Sequence, residues 1–250
     1  KIPFEIKKKQ VAVVWGEKVS FIYDGTAKAP TATAESGVDG ETLVISRTTE
    51  VNVGSYTSIA TLASVEGGNA NVDNYELTNA SKAYEITNAA MTGSVVIKGE
   101  NKFGETLTAE VTVEPEGANL TYQWYVDSVS PENALVGATS KTYVVGDNSD
   151  TSVVGKKIFV VVTANIANYG EATFQDVTDA ENNGNDTAKK ATLEKPTVVD
   201  PEDYVYDGTE QEIELDGVDE DLMEVTDNTK VDAGSGEINV SIKDPDNYEW

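Results

Sequence analysis

Apolar and polar residues alternate one by one through long stretches of this chain, and that period decides most of what it can become. Between 106 and 114, Leu107, Ala109, Val111 and Val113 alternate with Thr106, Thr108, Glu110, Thr112 and Glu114. Between 120 and 127, Leu120, Tyr122, Trp124 and Val126 oppose Thr121, Gln123, Tyr125 and Asp127. Between 237 and 243, Ile238, Val240 and Ile242 oppose Glu237, Asn239, Ser241 and Lys243. Successive side chains of a strand point to opposite faces, so each segment has a core face and a water face. Residues 158–163 (IFVVVT) break the alternation and read as a more fully buried strand. Abundant Thr and Val suit sheet, and Asp24-Gly25, Asp39-Gly40, Asp207-Gly208 and Asp216-Gly217 supply tight turns. No segment carries an apolar stripe of helical period over three turns. The patterns predict an all-β protein.

The chain also repeats itself. IYDGT at 22–26 returns as VYDGT at 205–209, VNVGS at 51–55 as VDAGS at 231–235, and DNYE at 73–76 as DNYE at 246–249. The order is kept while the offset falls from 183 to 180 to 173 residues. Most of that loss is about the length of Val65–Asn71 (VEGGNAN), which reads as a loop-tip insertion. Each anchor has a structural reason. Asp-Gly provides a positive φ, the preceding Tyr packs its ring while its hydroxyl reaches water, and Asn-Tyr is a turn residue followed by a core aromatic. Gly54 and Gly234 are expected to open strands. The alternative is that Tyr23 and Tyr206 line a ligand groove.

These anchors resemble the MBG (YDG/YGX-type) repeat of bacterial surface adhesins. Residues 1–90 carry VAVVW, FIYDGTAKAP, VNVGSYTSIATL, DNYELTN and AYEIT. Residues 191–250 depart from the pattern: Gly236 replaces the Tyr of the glycine motif, and no counterpart of the aromatic-x-Ile strand Tyr84–Ile86 precedes Trp250. The middle differs. GSVVIKGENKFGETLTAEV, LTYQWY, VGATSKTYVV and VGKKIFVVVT resemble the disulfide-free Ig-like repeat of bacterial surface proteins, with Trp124 packing across the sandwich. The resulting expectation is three tandem small β-sandwich or Ig-like domains in an elongated rod, a β-grasp-like form staying open for the two ends. They are an MBG-type domain at 1–90, an Ig-like sandwich at 91–177, a polar linker at 178–190 and a second MBG-type domain at 191–250. Residues 3–6 (PFEI) resemble 83–86 (AYEI), so the chain reads as starting on the closing strand of an upstream copy. The last domain should then present an open strand edge, frayed or filled by another chain, with end-to-end strand pairing as the route to association.

What is missing excludes several chemistries. With no Cys and no His there is no disulfide, thiolate nucleophile, Cys- or His-ligated metal or Ser-His-Asp triad. The 44 acidic residues make chance carboxylate pairs common, so such pairs carry no signal. Net charge is −26, and residues 191–250 hold −16 of it, with 3 basic against 19 acidic side chains. Such a polyanion repels phosphate backbones and anionic lipid, which argues against nucleic acid and membrane insertion. The chain starts at Lys1 without a signal peptide, as a fragment or mature form would.

Candidate sites are few. GDNSD (146–150) and DAENNGND (179–186) offer oxygens for Ca²⁺ but fit no EF-hand pattern, and solvated turns are the preferred reading. Tyr125, Trp15 and Trp250 are the candidate glycan-contact residues; Tyr125 sits on the polar face by alternation, while Trp15 ends an apolar run and reads as rim core. An intramolecular Lys–Asn or Lys–Asp isopeptide bond would need a buried Lys beside its partner and a carboxylic acid, and no motif singles out such a set. The resemblance implies a non-catalytic stalk or spacer of a cell-surface, wall-associated adhesin-like protein, monomeric, without catalytic residues, metal or cofactor. The alternatives are a direct binding module for host glycans or glycoproteins and, more remotely, accessory domains of a secreted enzyme.

Overall fold

The computed structural model describes residues 1–69, 71–147, 152–179, 187–199 and 204–250. Among these the regular structure is strand, relieved only by two three-residue 3-10 turns, Val72–Asn74 and Pro131–Asn133. The all-β class read from the alternation therefore holds. No helix among the described residues is long and apolar enough to cross a membrane. The chain divides into two compact units. One comprises residues 1–92 with 115–119 and 165–172, the other 93–114, 120–164 and 173–250. The first boundary falls beside the expected one at 90/91, whereas residues 191–250 group with the sandwich segments in one unit.

The first unit is built on a four-stranded sheet in the order Ser20–Ile22, Ser81–Thr87, Gly54–Glu66, Thr42–Arg47. Ser81–Thr87 runs parallel to Ser20–Ile22 and antiparallel to Gly54–Glu66. Lys9–Ala12 pairs in parallel with Tyr75–Thr78, and Val14–Trp15 pairs with Ala32–Thr33. A bulge between Val44 and Ile45 shifts the register of the long hairpin. Alternation puts Tyr84 and Ile86 on the core side, where they pack with Ala29, Phe21, Val53 and Tyr56. Val11, Leu43, Val65 and Tyr75 make the other cluster. Tyr75 is the core aromatic that the Asn-Tyr anchor predicted, and Asn71 Oδ1 accepts the Asp73 N–H to cap the turn before it.

The same unit contains a turn absent from the repeat comparison. Asn168, at φ 69°, accepts the Val53 N–H on its side chain at 2.8 Å and the Ala89 N–H on its carbonyl at 3.0 Å. Tyr169 stands edge-on to Tyr23, with ring centroids 5.6 Å apart.

Residues 92–177 form two three-stranded sheets. One is Thr142–Val144, Thr106–Glu114, Thr92–Lys98 and the other Asn119–Val126, Ile158–Ile166, Gly170–Val177. Trp124 is fully buried between them, its indole N–H donating to the Ser140 carbonyl at 2.9 Å and its ring 5.7 Å from Tyr143. Ile158, Val160, Val162 and Ala164 are buried while the residues between them are half-buried, as befits the central strand of its sheet. Of the polar segment 178–190, the described residues pack. Thr178 and Ala188 are buried, the Lys189 N–H donates to the Asn101 carbonyl, and the Phe103 N–H donates to the Lys189 carbonyl. Ala188 is small and apolar enough to enter the sandwich core, which the polar composition around it concealed.

Candidate functional site

Every strand pairing found among the described residues of 191–250 repeats one made by residues 1–90. Val14↔Thr33 and Trp15↔Ala32 become Thr197↔Asp216 and Val198↔Leu215. The parallel pair Lys9↔Tyr75 becomes Ala191↔Tyr248, and the bridge Lys28↔Glu50 becomes Gln211↔Lys230. The long hairpin of Thr42–Arg47 with Gly54–Glu66 shortens to Met223–Thr226 with Asn239–Ile242. The Asp-Gly turns match in detail. Thr26 donates its N–H and Oγ to Asp24 Oδ1 at 2.9 and 2.6 Å, and Thr209 donates the same pair to Asp207 Oδ1 at 2.8 and 2.7 Å. Gly25 and Gly208 sit at φ 78° and 80°, a region L-residues with a Cβ avoid.

Two ladders have no counterpart among the described residues: those that Ser81–Thr87 makes with Ser20–Ile22 and with Gly54–Glu66. Where they would lie, the C-terminal module has a groove of about 770 Å³. Tyr204, Tyr206, Ile213, Leu215, Gly236 and Ile238 are among the residues that line it. Residues 235–238 form no strand, so the expectation that Gly234 opens one is corrected; the strand begins at Asn239. The reason is that a strand needs a paired neighbour, and residues 234–238 lack the one that holds Gly54–Ser58. Tyr206 is 61% exposed at the groove wall, whereas Tyr23 packs beside the Tyr84 cluster, so only one of the two repeated tyrosines lines a groove. Gly236 stands where Tyr56 stands in the first copy; Tyr56 lies 5.7 Å from Tyr84, and its absence widens the groove.

The charges around the turns differ. Asp24 is held far below the usual carboxylate range, first by the Lys28 ammonium and then by Thr26. Asp207 is lowered first by Thr209 and then by Gln211, which stands where Lys28 stands in the first copy. In the core, the Tyr75 hydroxyl donates to Glu41 and its pKa is raised by that carboxylate. Burial raises Tyr143.

The three glycan-contact candidates stand on separate elements. Trp15 is half-buried and its indole N–H donates to the Asn79 carbonyl at 2.7 Å. Tyr125 is half-buried on Asn119–Val126 and bridges Ala134. Trp250 is 39% exposed with the Lys195 ammonium 6.0 Å from its ring centre. The ring pairs found among the described residues include none of the three. The Asp- and Asn-rich loops centred on 148–150 and 180–186 lie outside the described residues. Among the described residues no acidic cluster could hold a metal ion. The buried polar residues described are Ser36, Ser58, Asn101 and Thr178, so an isopeptide bond lacks the buried lysine it needs.

The groove itself was half legible. Gly236 and the missing aromatic-x-Ile strand pointed to it. Tyr204 and Ile213 were missed, since neither belongs to a repeated string. The Asn168-Tyr169 turn was also missed, though its Asn-Tyr pair echoes Asn74-Tyr75 and Asn247-Tyr248. The chain matches no family model and no curated protein.

Proposed function

We propose that this chain is a non-catalytic repeat segment, a stalk or spacer, of a bacterial cell-surface adhesin-like protein. The observation that carries this reading is the set of strand pairings made twice, at residues 1–90 and 191–250. Duplicated modules whose shared residues serve turns and core suit reach rather than chemistry. The anchors that resemble MBG repeats, and the net charge of −26 that keeps an exposed surface solvated, agree with it.

The experiment is a glycan-array and mucin-binding measurement on the chain with Trp15→Ala, Tyr125→Ala and Trp250→Ala variants beside it. A spacer gives no saturable binding and no difference among the four proteins. Saturable binding lost in any one variant replaces the spacer with a direct binding module for host glycans or glycoproteins.

A further inference from the structure

We infer that residues 188–193 are a splice: one extended segment held by the sandwich at its start and by the following module at its end, so that opening of either opens the other. The composition of 178–190 reads as a linker, and a linker works through backbone torsions that nothing restrains. Here the backbone is restrained. Ala188 donates its N–H to the Lys156 carbonyl at 2.9 Å and accepts the Gly155 N–H at 2.7 Å. Lys189 donates to the Asn101 carbonyl and accepts from Phe103, both at 2.9 Å. Both residues make parallel bridges, Ala188 to Val154 and Lys189 to Lys102. The segment is therefore paired on two sides, as a central strand is. Asn101 is itself fully buried, and its Nδ2 donates to Thr178 Oγ1 at 3.2 Å, which fixes the residue that Lys189 uses.

The hold passes to the module at once. The Lys190 ammonium donates to the Pro245 carbonyl at 2.6 Å. The Ala191 N–H donates to the Asn247 carbonyl at 2.9 Å and the Leu193 N–H to the Glu249 carbonyl at 2.8 Å, along the parallel pair of Ala191–Thr192 with Tyr248–Glu249. Side chains fix the same place. Phe103, beside the residue that bridges Lys189, meets Tyr248 edge-on with ring centroids 5.3 Å apart. Gly146 makes that seat. It sits at φ 89°, and a Cβ on it would stand 2.2 Å from the Phe103 ring. One turn of the sandwich thus receives Lys189 from the segment and Tyr248 from the module.

Modules on a free linker open independently, and relative motion is their ordinary state. A segment shared by two sets of ladder bonds behaves otherwise. Release of Lys189 from Asn101 and Phe103 frees the residue two before Ala191 and withdraws the turn that carries Phe103 from Tyr248. The coupling is reciprocal, so opening of the module acts on residues 101–103 by the factor with which opening of the sandwich acts on 191–193. All of these residues belong to one compact unit. The inference does not rest on the spacer reading.

The test is native-state amide hydrogen exchange on the full chain. Val160 is fully buried in the sandwich core. Val160→Ala should speed exchange of the sandwich amides about tenfold or more, and the Ala191 and Leu193 amides should follow by the same factor. A short Gly/Ser insertion between Lys190 and Ala191 should cut that link, leaving Ala191 and Leu193 unmoved by Val160→Ala. Tyr248→Ala, at a half-buried residue, tests the reverse direction and keeps the fold if Val160→Ala does not. It should speed exchange at Phe103 and Lys189 about twofold to tenfold. Ala191 and Leu193 indifferent to Val160→Ala in the parent chain, the same response with the insertion present, or Phe103 and Lys189 unchanged in Tyr248→Ala would each overturn the splice.

Discussion

Residues 1–90 and 191–250 use one plan and differ in what lies at its centre. In the N-terminal module Ser81–Thr87 lies between two strands and buries Tyr84 and Ile86. In the C-terminal module the same turns and pairings surround a groove, and Met223 is the one buried hydrophobic among described residues 191–250. Local motifs therefore suffice to set the pairings at the rim of the module. They do not suffice to form the central ladder, because a strand needs a neighbour for its backbone groups before it is a strand.

The strongest way to break the comparison is to empty the complete module. Ile86→Ala should cost about 2–5 kcal/mol of N-terminal module stability in urea unfolding. A loss below that range would mean that the closing strand does not hold the core. Met223→Ala in the C-terminal module should cost about 2 kcal/mol, at the low end for a buried Met, because its surroundings are already open and can relax. A loss equal to that of Ile86→Ala would show a core as tight as that of the first module.

Gly236→Tyr restores the aromatic of the first copy. A Cβ there meets only the flexible Lys230 side chain at 3.5 Å and beyond, so the residue should be tolerated. Urea unfolding should show a change within about 0.5 kcal/mol; a larger loss would show that the residue meets more than Lys230. Gly25→Ala and Gly208→Ala should each cost about 1–2 kcal/mol, since both force a Cβ into positive φ; it meets nothing within 4 Å at Gly25 and only the Tyr206 hydroxyl, in ordinary contact at 3.8 Å, at Gly208. Unequal costs would separate turns that the geometry makes alike.

Lys28→Gln is the smallest change, since it installs the residue of the second copy. The Asp24 carboxyl should then titrate higher, toward Asp207, in a carboxyl-resolved NMR pH titration. The sign follows from depressed folded-state values. Each turn contributes stability above the unfolded Asp pKa of about 3.9 and loses it as pH falls through its own folded value. Asp24 should therefore lose its contribution at lower pH than Asp207, and the substitution should remove that difference.

Much of this was legible in residues. Alternation put Trp124 on the apolar face of 120–127, the Ig-like resemblance implied that it packs across a sandwich, and it lies fully buried. All four Asp-Gly glycines, at 25, 40, 208 and 217, have positive φ. Tyr125 shows the limit. Its place on the polar face predicted exposure, yet it is half-buried, on a backbone that bridges to Ala134. Ala188 shows another, since one small apolar residue in a polar run gave no period to read.

The sequence alone determined the class of structure, the turns and the repeat, because these depend on side-chain alternation and on backbone angles that a few residues set. Only the tertiary structure decided that residues 234–238 are not a strand, that Asn168 binds Val53, and that Ile2, Phe4 and Ile6 are bare. Those outcomes turn on which backbone and apolar groups find a partner far along the chain, and a pattern of neighbours does not record that.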